Sequence, residues 1–121
     1  MAVLAPEKHE VRIQLQPAHP ELLEMAELIS QHGWCQGRYE DDGRLCILGA
    51  YHKLLERDNT WLVDDEWEFR YMRALAAFEK AVSEDMGAYD EWWDAADWND
   101  QPERTKFEVV DRLRRVGWTG R

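Results

Sequence analysis

Two histidines and two cysteines, His32, Cys35, Cys46 and His52, crowd one short stretch of the chain. Zinc takes four nitrogen or sulfur ligands in a tetrahedron, and a hairpin bearing one pair beside a helix bearing the other can supply them. Yet neither CxxC nor HxxxH, the tight spacings of zinc fingers, occurs. The plainer account makes Cys46 a small core residue, Cys35 a strand residue and both histidines surface groups, because free cysteine is among the most buried side chains. That account carries more weight, and no metal or other cofactor is expected. Cys35 also invites a second chemistry, thiol attack with His32 or His52 as base and Asp41 or Asp42 as orienter. A nucleophilic thiol needs a cation or a helix N-terminus beside it to lower its pKa. The sequence places neither there, so no catalytic residue is assigned.

Two further groupings bear on binding. Trp34, Gln36 and Arg44 in one block, with Trp98, Asn99 and Asp100 in another, have the mixture of aromatic and polar groups that holds a small polar ligand, provided the blocks meet in space. The plainer account gives Asn99 and Asp100 to capping the last helix and Arg104 to an ion pair with Asp100 or Asp97. Residues 84–103 hold eight acidic side chains and no Lys or Arg, with Tyr89, Trp92, Trp93 and Trp98 interleaved. Residues 104–121 reverse the sign, with six basic side chains against Glu108 and Asp111. An amphipathic helix with a solvated acidic face and core tryptophans explains this stretch simply. The sharper alternative is a docking surface at Tyr89, Asp90, Glu91, Asp94 and Asp97, since aromatic residues anchor interfaces and rim carboxylates speed encounter with a basic partner.

The elements that must position these groups follow from periodicity. Residues 1–9 form a tail. Residues 10–16 alternate, with Val11, Ile13 and Leu15 on one face, as a half-buried strand does. Pro20 opens a helix with Leu22, Met25, Ala26 and Ile29 on one stripe, and Gly33 ends it. Asp42-Gly43 predicts a type I′ hairpin between strands at 34–39 and 44–48. A helix over 47–57 buries Ile47, Tyr51, Leu54 and Leu55, and Gly49 within it implies close approach of another backbone. The longest helix, 65–84, opens on the caps Asp64 and Asp65 and buries Trp67, Tyr71, Ala74, Leu75, Phe78 and Val82. Phe69, Met72 and Ala76 add a second apolar side, which predicts a central helix covered on both faces. Beyond a break at Gly87, Tyr89, Trp92, Trp93 and Ala96 repeat the helical spacing, and 98–102 reads as a loop. Thr105 and Glu108 form a capping box for a last helix that buries Val109, Val110, Leu113 and Val116 and ends at Gly117.

These elements assemble into one α+β domain over 10–121, mainly helical, with a small antiparallel sheet of 10–16 and the hairpin. The chain's 121 residues suffice for a core without disulfides. Its net charge of −10 argues against nucleic acid and anionic membrane as partners. No apolar run approaches the ~20 residues of a membrane span, and the N-terminal sequence lacks the pattern of a secretory signal. With two cysteines only, a reduced, cytoplasmic protein is expected. GxxxxGK[ST], GxGxxG, HExxH, GxSxG and the EF-hand pattern are all missing, so an enzyme is not the leading expectation.

The run Gly33-Trp34-Cys35-Gln36-Gly37, followed by Gly43-Arg44-x-Cys46-x-x-Gly49-Ala50, resembles a family of small uncharacterised proteins from actinobacteria and their bacteriophages. So does Trp98-Asn99-Asp100-x-Pro102-x-Arg104-Thr105-x-x-Glu108-Val109 with Leu113-Arg114. The resemblance is loose in the middle of the chain and carries no established activity; it implies a source and a shared fold. Together with the acidic stretch and the missing catalytic motifs, it points to a phage-type accessory protein that binds a protein partner, a host factor or a basic DNA-binding protein. The alternative is a small-molecule or metal-binding domain, with or without enzymatic activity, built on the 33–52 hairpin and the 98–104 loop. A homodimer through the apolar surplus at Trp61, Leu62 and Trp67 is a third reading.

Overall fold

A computed structural model of the chain describes residues 16–57, 65–85 and 92–121. Residues 10–15 of the predicted first strand, Asp64, Trp61, Leu62, Gly87, Tyr89, Asp90 and Glu91 lie outside them, as do the side chains of Asp65 and Trp67. In chain order the elements are α1 (Pro20–His32), β1 (Glu40–Asp41), β2 (Arg44–Leu45), α2 (Ile47–Arg57), α3 (Asp65–Asp85), α4 (Ala95–Asn99) and α5 (Lys106–Thr119). The structure is mainly helical with a small antiparallel sheet, an α+β arrangement.

The core forms where the helical stripes meet. Leu22, Met25, Ala26 and Ile29 of α1, Ile47, Ala50 and Leu54 of α2, Tyr71, Ala74, Phe78 and Val82 of α3, and Val109, Leu113 and Val116 of α5 are all buried in one cluster. Tyr51, Leu55 and Leu75 pack against it half-buried. Helices α1 and α5 lie against each other along the seam that Gly117 allows. A Cβ at Gly117 would stand 2.7 Å from Leu23 Cδ2 and 3.2 Å from the His19 carbonyl oxygen. Gly117 is therefore a packing residue inside α5. The helix runs on to Thr119 and ends at Gly120, whose φ of 82° and ψ of 5° are left-handed. At the other end Thr105 and Glu108 form the expected capping box, each side chain satisfying the other's backbone N–H.

The hairpin turns where the sequence requires it. Asp42 and Gly43 both have positive φ, 54° and 85°, and pair Glu40 with Leu45 and Asp41 with Arg44. Its strands are shorter than the spacing predicted. From 34 to 39 the chain is not a strand: Trp34 makes a single parallel bridge to Leu45, and Gly37 turns at a φ of 78°. Side-chain hydrogen bonds toward the far end of the chain, described below, curl this segment away from a sheet. The second strand stops at Leu45 because Ile47 and Leu48 already belong to α2.

Two more expectations change. Residues 92–94 are not helical; Asp94, with a φ of −78° and ψ of 164°, N-caps α4, which takes in Trp98 and Asn99 instead of leaving them in a loop. On α3 the inner face is buried, but Phe69, Met72 and Ala76 are exposed, so only one of its apolar sides is covered. No helix among the described residues is long and apolar enough to cross a membrane.

Candidate functional site

Asn99 is fully buried, an uncommon place for a polar amide, and its hydrogen bonds explain why. Its Oδ1 accepts from the Trp34 indole Nε1 (2.8 Å) and from the backbone N–H of Ile47 (3.3 Å). Its Nδ2 donates to the Cys35 carbonyl (3.1 Å) and to Asp100 Oδ1 (2.9 Å). The amide therefore uses both of its donors and both of its acceptor positions inside the protein. The bond to Ile47 also satisfies one of the N–H groups that every helix leaves open in its first turn.

Around this amide the two motif blocks close on each other. Gln36 Nε2 donates to the backbone oxygens of Asn99 (3.0 Å) and Gln101 (2.8 Å), and the Gly37 N–H donates to Asp100 Oδ1 (3.0 Å). Trp34, Gln36, Asn99 and Asp100 thus stand in one clasp joining the hairpin to α4. Trp98 lies next to it in the core, edge-on to Phe78 at 5.2 Å between ring centres. Its outer face is covered by the Arg104 guanidinium, 3.8 Å from the ring centre, whose Nε donates to the Trp98 carbonyl at 3.0 Å. Arg104 pairs with Glu108 (3.4 Å), so the expected partners Asp97 and Asp100 are not the ones it takes. Asn99 and Asp100 do not cap the last helix, because Thr105 does. Arg44 stays apart: it pairs with Asp41 at 2.8 Å, and its stem lies over Gly33, where a Cβ would come within 2.8 Å of Arg44 Cγ.

The cysteines and histidines take separate places. The Cys35 thiol is within reach of the carbonyls of Arg38 (3.5 Å) and Arg44 (3.4 Å), and Cys46 Sγ accepts the Gly49 N–H (3.3 Å) at the start of α2. Burial pushes both thiols up, and for Cys35 the neighbouring Cys46 and Asp41 push the same way. A nucleophile needs the opposite shift. His32 is exposed at the end of α1, and His52 lies against the rings of Tyr39 (5.0 Å) and Tyr51 (5.5 Å). Among the described residues no three His, Cys, Asp or Glu side chains are grouped as metal ligands.

Sequence reasoning did not find Glu79 and Ser83 of α3, which fasten the segment before α4. Glu79 accepts from the Ala95 N–H (2.8 Å) and the Trp92 indole (3.3 Å), and Ser83 Oγ accepts from the Trp93 N–H (2.8 Å). Trp92, expected in the core, is 57 % exposed. In the same segment Asp94 and Asp97 are exposed, and among the described residues neither carboxylate makes an ion pair with a side chain. Among the surface grooves of the described residues, one of about 260 Å³ is bounded by Trp98, Arg104 and Phe107 and another of about 310 Å³ by Tyr39, Gly49 and His52. Neither is lined by Trp34, Gln36 or Asn99.

A family model described as a family of unknown function, DUF6197, matches residues 16–117. The chain belongs to DUF6197. The matched span contains the whole clasp, from Trp34 to Gln101, together with every helix of the described residues except the last two residues of α5. For this DUF6197 chain no curated protein and no solved structure gives a match.

Proposed function

We propose that this DUF6197 chain is a non-enzymatic accessory protein of the kind carried by actinobacterial phages, acting in the host cytoplasm by binding a protein partner with a basic surface. One observation carries the reading: Trp92 stands more than half exposed in a segment whose Asp94 and Asp97 are also exposed, with neither carboxylate in an ion pair among the described residues. A large aromatic ring left in water forgoes stabilisation that a partner restores by covering it. Glu79 holds the ring in place through its N–H, so little ordering remains to oppose binding. The carboxylates of this segment favour a cationic partner and accelerate its approach. A host factor that binds DNA through Lys and Arg has that character, and an acidic surface can occupy the site meant for phosphate.

The test is affinity capture from an actinobacterial lysate, titrated to saturation, with wild type and with Trp92→Ala and Asp94→Asn/Asp97→Asn variants. Wild type should retain one partner saturably and release it as salt rises, Trp92→Ala should bind it about 30-fold more weakly, and the double variant should lose the salt dependence. Failure of wild type to saturate with any protein, or equal retention by Trp92→Ala, overturns the reading.

A further inference from the structure

The backbone sets the two cysteines side by side. The Leu45 N–H donates to the Gly33 carbonyl (2.9 Å) and the Cys35 N–H donates to the Leu45 carbonyl (3.2 Å), the pattern of a parallel bridge with Trp34 opposite Leu45. In that register Gly33 stands opposite Arg44 and Cys35 opposite Cys46. Side chains alternate between faces along an extended chain, so both of these pairs share one face. The first pair shows how near opposite positions come: a Cβ at Gly33 would lie 3.6 Å from Arg44 Cβ. A disulfide bridges Cβ atoms about 3.5–4.5 Å apart on backbones spaced about as neighbouring strands are. Both cysteines are free thiols and both are buried, so each has the other as its near reactive neighbour, away from solvent.

Neither sulfur is committed to a strong bond. The Cys35 thiol reaches two carbonyls and Cys46 Sγ accepts one N–H, all at 3.3–3.5 Å, and sulfur is a weak donor and a weak acceptor. Rotation about each Cα–Cβ bond turns one sulfur toward the other with the backbone in place. We propose that Cys35 and Cys46 are a dithiol–disulfide couple, open in this structure and closed by exchange with a small disulfide, RSSR. One cysteine thiolate attacks RSSR and expels RS⁻, which takes up the proton that the cysteine released. The other cysteine, deprotonated in turn, attacks the protein sulfur of the mixed disulfide and expels the second RS⁻, which is protonated likewise. The two cysteines lose two hydrogens and RSSR becomes two RSH. The first step is slow, because burial keeps the thiols protonated. The second is fast, because the resolving sulfur already stands beside its target. The new bond falls at the centre of the clasp. The Cys35 carbonyl and the N–H of Ile47, the residue after Cys46, both bind the Asn99 side chain. Oxidation therefore ties covalently the two segments that Asn99 spans by hydrogen bonds.

The probe is hydroxyethyl disulfide in excess over the reduced, folded full chain, with samples quenched in acid and read by intact mass. Wild type should lose two hydrogens, keep no hydroxyethylthio adduct, stay a single chain without reductant and regain its mass in dithiothreitol. The bond closes a loop of about 12 residues and should raise the melting temperature by about 10 °C. Cys35→Ser and Cys46→Ser should each gain at most one adduct and no thermal stability. Wild type that keeps both thiols, that accumulates adducts on both cysteines, that cross-links between chains, or that melts no higher when oxidised overturns the proposal. Trp92 has no part in these outcomes, so they and the partner-binding reading stand or fall separately.

Discussion

Replacing Asn99 with alanine leaves the Trp34 indole, the Ile47 N–H and the Cys35 carbonyl without their partners in a place water does not reach. Each buried polar group so orphaned costs roughly 1–3 kcal/mol, so Asn99→Ala should lose about 3 kcal/mol or more in urea unfolding. Gln36→Ala removes an exposed residue's bonds to two carbonyls and should cost about 1 kcal/mol in the same measurement. The thiols make a prediction in pH. Cys35 and Cys46 are held above the ordinary thiol range when folded. Above pH about 8.5 the unfolded chain gives up these protons while the folded chain keeps them, so stability falls as pH rises from there. Melting temperature should be level from pH 7 to 8 and decline toward pH 10, less steeply in Cys46→Ala; an equal slope in both removes Cys46 as the cause.

At the scale of elements, Gly49 is the tightest point of the fold. A Cβ there would stand within 2 Å of the Tyr39 carbonyl oxygen, which also accepts the Cys46 N–H (3.2 Å). Gly49→Ala must push the hairpin off α2 and break that bond, at a cost of about 2–4 kcal/mol, whereas the same change at an open helical site would stabilise. Thermal unfolding distinguishes the two. This approach was legible in the sequence, because glycine inside an otherwise good helix needs a reason, and so were the spans of α1, α2 and α3 and the Asp42-Gly43 turn. The segment 92–96 misled because tryptophans at helical spacing look the same whether the helix exists or not. There the deciding groups were Glu79 and Ser83, ten or more residues before their partners, whose hydrogen bonds fasten 93–95 to α3 and let the helix start only at Ala95. Gly117 misled in the opposite sense: a glycine near a helix end reads as a stop, and only the α1–α5 contact shows it to be a seam.

For the whole molecule, the clasp is what makes one body of the hairpin and the C-terminal half. The sequence supplied its members but not their meeting, since nothing local in Trp34 or Asn99 encodes a partner that far along the chain. Its bonds join residues 52 to 65 positions apart. Far-ultraviolet and near-ultraviolet circular dichroism should therefore give coincident unfolding curves, and separated curves would show that the hairpin melts apart from the helices. Such bonds also have a kinetic character. Closing so long a loop is entropically expensive, and the clasp's geometry is met only once α1, α2 and α5 have brought their ends together. Its contacts thus form after the folding barrier, and Asn99→Ala should act almost wholly on the unfolding rate. The buried amide then serves as a latch on the lifetime of the folded state: it sets how long the molecule stays closed and leaves the speed of its folding to the helices.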